Sequence, residues 1–168
     1  MAYTIAVVVG SLRKDSFNRR FAHALAALAP DDFVMTEAPI GALPLYDQDA
    51  DATPSDPVTH FRSQIAAADG VVFVTPEYNR SVPGVLKNAI DQGSRPYGRS
   101  VWAGKPAGIV GVSIGAIGAA LAQQHLRTIL AFLDMPTLGQ PEAFIQQKDG
   151  LYDETGAIGP ASRAFAQG

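Results

Sequence analysis

The chain has 168 residues, 47% hydrophobic and 17% charged, with a formal net charge of −3. This is one ordinary domain's worth of sequence, read as a single unit over 1–168, with enough apolar residues for a packed core. A mildly acidic chain without basic runs argues against nucleic acid or an anionic membrane as partner. The absence of cysteine excludes disulfides and thiol chemistry.

In chain order, Tyr3 to Val9 reads as a strand buried on both faces, because Ile5, Val7, Val8 and Val9 leave no polar alternation. A polar loop from Gly10 to Ser16 precedes a helix over Phe17 to Leu28, whose apolar stripe is Phe17, Phe21, Leu25 and Leu28. Phe33 to Glu37 is the second strand. A loop with Pro39, Gly41 and Pro44 then leads to Asp47, Asp49 and Asp51. These acids lack the glycine and terminal glutamate of a calcium loop and read as solvated. Pro57 to Ala68 is the second helix and Val71 to Thr75 the third strand. Gly84 to Gln92 forms a short helix, Pro106 to Val112 the fourth strand, and Ala116 to Leu133 a long helix. A fifth strand falls within Met135 to Phe144, interrupted by Gly139 and Pro141. After a turn-rich stretch, Tyr152 to Gly159, a last helix starts at Pro160 and runs to Gln167. This alternation predicts an α/β fold with a mostly parallel, doubly wound sheet. No apolar segment reaches the ~20 residues of a membrane span, and Met1 to Val9 lacks the charged start of a signal peptide. The expectation is therefore a cytoplasmic protein with no membrane partner.

Three loops follow the first, third and fourth strands, and in an open α/β sheet those carboxyl ends share one rim, where ligands bind. In the first loop Gly10 permits a sharp turn, Ser11, Ser16 and Asn18 offer short polar groups, Ser16 suits a helix N-cap, and Arg13 carries a forked cation. A phosphate site at the helix start and a plain capped helix with a solvated arginine fit this loop about equally. The second loop is Pro76-Glu77-Tyr78-Asn79-Arg80-Ser81-Val82-Pro83-Gly84. Tyr78 suits stacking on a planar ring and Asn79 suits its polar edge. Read alone, Tyr78 is equally a half-exposed aromatic, Asn79 a turn former and Glu77 a solvated charge. Lys87 and Asp91 read as an i,i+4 surface pair. The third loop, Ser113-Ile114-Gly115-Ala116-Ile117-Gly118, holds a Gly-x-x-Gly that serves close ligand approach or close packing. His23, His60 and His125 follow no metal-ligand spacing. No Ser-His-Asp or paired-carboxylate set is present, which fits chemistry carried by a cofactor.

The residues Gly10-Ser11-Leu12-Arg13-x-x-Ser16-x-Asn18, the run Pro76 to Asp91, and Ser113-x-Gly115-x-x-Gly118 together resemble the NAD(P)H-dependent FMN reductases, flavodoxin-like quinone, chromate and azo-dye reductases. The resemblance covers nearly the whole chain, and its central motif is the most specific part. It implies a five-stranded parallel sheet in the order 2-1-3-4-5 with helices on both faces. It also implies FMN phosphate on Ser11, Arg13, Ser16, the Phe17 backbone N–H and Asn18. The isoalloxazine would rest against Pro76, Glu77, Tyr78 and Asn79, with Ser113 and Gly115 on the far side. The implied activity is hydride transfer from NADPH or NADH through FMN to a small-molecule electron acceptor by a ping-pong sequence. No residue of the chain would be catalytic and no metal would be bound. A homodimer or homotetramer is implied, with Ser94 to Tyr97 at the interface. Gln92 and Gly93 depart from the family's usual aromatic and small residue. A flavodoxin-type electron carrier and a flavin-free regulatory module on the same fold are the alternatives.

Overall fold

A strand that is apolar on both sides must be covered on both sides, and the sheet divides its side chains accordingly. In the computed structural model, which describes residues 2–167, strand β1 (Tyr3–Val9) sends Ala6 and Val8 into one core and Val7 and Val9 into the other. The remaining strands are β2 (Phe33–Glu37), β3 (Gly70–Thr75), β4 (Ala107–Ser113) and β5 (Ala143–Gln146). Every ladder is parallel, in the order β2-β1-β3-β4-β5, as expected. The connecting helices are α1 (Phe17–Ala26), α2 (Asp56–Ala67), α3 (Gly84–Ser94), α4 (Ala120–Phe132) and α5 (Pro160–Gln167).

One core joins α2, α3 and α4 to the sheet through Phe61, Ile65, Leu86, Ile90, Leu126 and Leu130. Its centre is Trp102, which is fully buried. The indole meets Phe61 edge-on at 5.9 Å and Phe73 at 5.7 Å, and its Nε1–H donates to the Ile90 carbonyl at 2.9 Å. The other core packs Phe21, Ala22 and Ala24 of α1 against Val74, Val110 and Val112, with Ile145, Leu151 and Ile158 completing it. Among the described residues no helix is long and apolar enough to cross a membrane.

Two boundaries differ by more than two residues from those the sequence predicts. Helix α4 begins at Ala120 rather than Ala116, because Gly118 (φ 57°) and Ala119 (φ 65°) are left-handed and cannot join a right-handed helix. A Cβ on Gly118 would lie 2.4 Å from the carbonyl carbon of Phe144, so residue 118 admits only hydrogen. Strand β5 starts later than expected. Thr137 bridges to Ala107 and the Leu138 N–H donates to the Ala107 carbonyl at 2.8 Å. The chain then leaves the sheet through Gly139 to Glu142 and returns at Ala143.

Gly93 lies against the Trp102 indole, and a Cβ there would sit 2.6 Å from three of its atoms. Alanine normally stabilises a helix interior by up to about 1 kcal/mol relative to glycine. Gly93→Ala reverses that sign: overpacking against Trp102 costs about 1–3 kcal/mol, read as a lower urea midpoint at unchanged slope.

Candidate functional site

The registers bring the three polar loops to one edge. Val9 pairs with Val74 and Val74 with Val110, so the loops leave β1, β3 and β4 side by side at their carboxyl ends. The Gly10 N–H donates to the Val74 carbonyl at 2.9 Å, continuing the ladder one residue into the first loop. Gly10 is not left-handed. Its lack of a side chain serves close packing instead, since a Cβ would meet Leu86 Cδ2 and Thr75 Oγ1, both at 3.1 Å.

Ser16 caps α1 as expected: its Oγ accepts from the Arg19 N–H at 3.2 Å, and its carbonyl accepts from Arg20. That leaves the Phe17 and Asn18 N–H groups open at the positive end of the helix. Beside them are the Ser16 hydroxyl proton and the Ser11 hydroxyl on a residue only 5% exposed. Arg13 is exposed, with its guanidinium carbon 5.0 Å from the Phe17 ring centre. Two N–H groups, two hydroxyls and one exposed cation suit a phosphate monoester.

Asn18 differs from the expectation. Its side chain is buried and bonded to the protein: Nδ2 donates to the Val112 carbonyl at 3.0 Å and Oδ1 accepts the Val112 N–H at 3.0 Å. It pairs like one more peptide group and clips the start of α1 to the end of β4. Its backbone N–H, in the first turn of α1, remains for a ligand.

Arg19 has a role that the sequence reading missed. Its guanidinium donates to the carbonyls of Ser11 at 3.2 Å and Arg13 at 3.3 Å, and to Glu37 Oε1 at 3.1 Å. The loop is thus wrapped around a cation anchored on β2. The signal was present in the sequence, because a cation in the first turn of a helix opposes the helix dipole and needs another reason to be there.

In the second loop Pro76 is buried and Tyr78 is 53% exposed. Tyr78 and Ser81 exchange backbone hydrogen bonds, both 3.0 Å, across a turn whose central residues Asn79 (φ 52°) and Arg80 (φ 63°) are both left-handed. This is type I′ geometry, carried without glycine. It consumes the Tyr78 N–H and leaves those of Glu77 and Asn79 available at the rim.

Glu77 is not a solvated charge, since its side chain is 9% exposed. One carboxylate oxygen accepts from Leu121 and Ala122 N–H at 3.0 and 3.2 Å, and the other accepts from Arg80 Nη1 at 3.1 Å. In the third loop the Ser113 Oγ accepts from the Gly115 N–H at 3.1 Å, while Ile114, Ala116 and Ile117 are exposed. Behind this loop Gln123, fully buried, donates to the carbonyls of Gly118 and Ala143.

The rest of the central motif is scaffold. Asn88 and Gln92 donate to the Pro44 carbonyl at 2.8 and 3.0 Å, and Asn88 Oδ1 accepts from the Tyr46 N–H at 2.8 Å. Lys87 pairs with Asp91 at 2.9 Å. His125 is exposed, with Nδ1 3.0 Å from Ser81 Oγ. Asp47 and Asp51 bond within their own segment, and among the described residues no His, Asp and Glu cluster is able to hold a metal ion.

Residues 3–150 match the family model described as NADPH-dependent FMN reductase. The chain is 57% identical over 158 residues to a 2-hydroxy-1,4-benzoquinone reductase from Burkholderia sp, covering 94% of this chain and 86% of that one. It is 52% identical over 166 residues to a quinone reductase from Pseudomonas putida, covering 98% and 89%. Among solved structures, FerB, a flavoenzyme NAD(P)H:(acceptor) oxidoreductase from Paracoccus denitrificans, superposes with a TM-score of 0.94 at 42% identity, over 99% of this chain and 92% of that one.

Asn18→Ala removes two hydrogen bonds and strands the buried Val112 N–H and C=O. The expected loss is about 2–4 kcal/mol of unfolding free energy, measured by urea denaturation. Ser16→Ala, which removes only a cap, costs about 1 kcal/mol by the same measurement.

Proposed function

The chain belongs to the NADPH-dependent FMN reductase family and is an NAD(P)H-dependent oxidoreductase that uses FMN, and from that premise we propose that it reduces quinones and similar acceptors at the rim formed by its three polar loops. The observation that carries this reading is the open first turn of α1, where the Phe17 and Asn18 N–H groups have no partner in the helix and stand beside the Ser11 and Ser16 hydroxyls. That turn lies on the same edge as the Pro76–Asn79 loop, so phosphate and ring ends of one flavin have separate receptors.

The residues present fit the group. Ser11, Arg13, Ser16 and the N–H groups of Phe17 and Asn18 would hold the phosphate. Pro76 and Tyr78 would flank the ring system, and the free N–H groups of Glu77 and Asn79 would serve as donors to its polar edge. Ser113 and Gly115 form the opposite wall. When bound, FMN supplies the two-electron chemistry, accepting hydride from NAD(P)H and delivering it to the acceptor.

The chain contributes position and surroundings. Exposed Leu12, Tyr78, Ile114 and Ile117 stand on the three loops and give the rim an apolar collar, which suits nicotinamide and a planar quinone in turn. One shared opening makes the kinetics ping-pong: the oxidised nicotinamide leaves before the acceptor enters. The same open collar admits azo compounds, free flavin and chromate, the last with least help from apolar contacts. A homodimer or homotetramer is part of this reading, supported by Leu45 and Tyr97, 85% and 90% exposed beside the Arg95–Tyr46 stack after α3.

The direct test is the visible spectrum of the purified protein, followed by anaerobic bleaching with NADPH and with NADH and reoxidation by a benzoquinone. A colourless protein that takes up no added FMN defeats the proposal. Arg13→Ala is expected to weaken FMN binding about 10–100-fold, the worth of a charge-assisted contact, with the bleaching rate of the remaining bound flavin little changed. Full occupancy in that variant removes Arg13 from the phosphate site.

A further inference from the structure

Helix α4 starts without a cap of its own. Its N-cap residue is Ala119, left-handed and without a side-chain hydrogen bond. The Ala120 N–H reaches the Ile117 carbonyl at 3.1 Å and the Gln123 N–H reaches the Ala119 carbonyl at 3.1 Å, which leaves Leu121 and Ala122. Both donate to one carboxylate oxygen of Glu77, 44 and 45 residues away in sequence. A carboxylate at that point also meets the positive end of the helix dipole. The second oxygen holds Arg80, the strained corner of the turn that carries Tyr78. Ser81 Oγ and His125 Nδ1, 3.0 Å apart, tie the same turn to α4 one helical turn further on.

We infer that the Glu77 side chain is a positioning group that acts on the flavin site through α4, its carboxylate bonding the protein rather than the flavin. Its carboxylate spans the two walls of the pocket: it caps the helix that the Ser113–Ala119 loop enters and braces the turn that presents Tyr78. Both of its oxygens already accept hydrogen bonds from the protein before any ligand arrives. Loss of the cap loosens the loop that follows β4, and FMN binding must then supply the ordering itself, which lowers its affinity. The inference rests on the flavin reading above, and its test includes a measurement on apoprotein that does not depend on that reading.

Amide hydrogen exchange is followed residue by residue in wild type, Glu77→Ala and Glu77→Gln, all flavin-free, and FMN affinity is then measured by quenching of flavin fluorescence. In Glu77→Ala the Leu121 and Ala122 amides are expected to exchange about tenfold faster, the equivalent of a lost helix cap, while core amides of β1 and β3 keep their protection. FMN dissociation weakens by a similar factor. Glu77→Gln, which keeps an acceptor oxygen, recovers most of both effects.

Unchanged exchange at Leu121 and Ala122 overturns the cap. Weakened FMN binding with unchanged exchange also overturns the inference, because it assigns Glu77 a direct contact. Faster exchange with FMN affinity within about twofold of wild type removes the coupling between the walls. A uniform rise in exchange across the core marks Glu77 as a general stability residue and equally counts against it. If Glu77→Ala does not fold, Glu77→Asp, whose carboxylate is one methylene too short to reach both Arg80 and the α4 amides, carries the same comparison. Failure of wild type itself to bind FMN defeats the cofactor reading, while the exchange data still decide the cap.

Discussion

Loops at the carboxyl edge of a parallel sheet have left the ladder, so their backbone groups must find partners elsewhere or stay mobile. Here the partners are side chains that reach from one loop or helix start to the backbone of another. Asn18 pairs with Val112, Arg19 gathers the carbonyls of Ser11 and Arg13, and Glu77 takes the N–H groups of Leu121 and Ala122. Remove these ties and the rim is three separate loops. With them, the first loop is pinned to β4 and the second to α4, so the three behave as one surface.

The ties also decide which polar groups remain for a ligand. Asn18 spends its amide and Glu77 its carboxylate on the protein, while Ser11, Arg13, Ser16 and the first-turn N–H groups of α1 stay available. Preorganisation of this kind spares a ligand the entropy of ordering the loops. It also accounts for polar residues that are nearly buried at the edge of a site without entering it.

Beneath the rim, packing is tight where the backbone must come close. Gly118 lies against the backbone of β5, and Gly93 admits the Trp102 indole to the base of α3. Asn88 and Gln92 hold the Pro44–Tyr46 segment against the same helix. The long run from Pro76 to Asp91 therefore has two jobs. Its first residues form a wall of the site, and its helical remainder is the frame that keeps the wall in place.

The sequence by itself determined the fold. Apolar runs without alternation demand strands covered on both faces, the intervening stripes supply the covering helices, and alternation of the two leads to a parallel doubly wound sheet. It also located the rim, because polar loops after the first, third and fourth strands meet at one edge in that topology. The tertiary structure decided what the individual side chains do there. Asn18 and Glu77 look like ligand groups or solvated charges in a linear reading, because their partners lie 94 and more than 40 positions away. The start of α4 escaped the periodicity because left-handed residues at 118 and 119 answer to the backbone of β5, not to their own segment. Local pattern reports what a segment needs to bury. Which donor meets which acceptor across the rim is a property of the assembled loops, and only folding brings those atoms within hydrogen-bond reach.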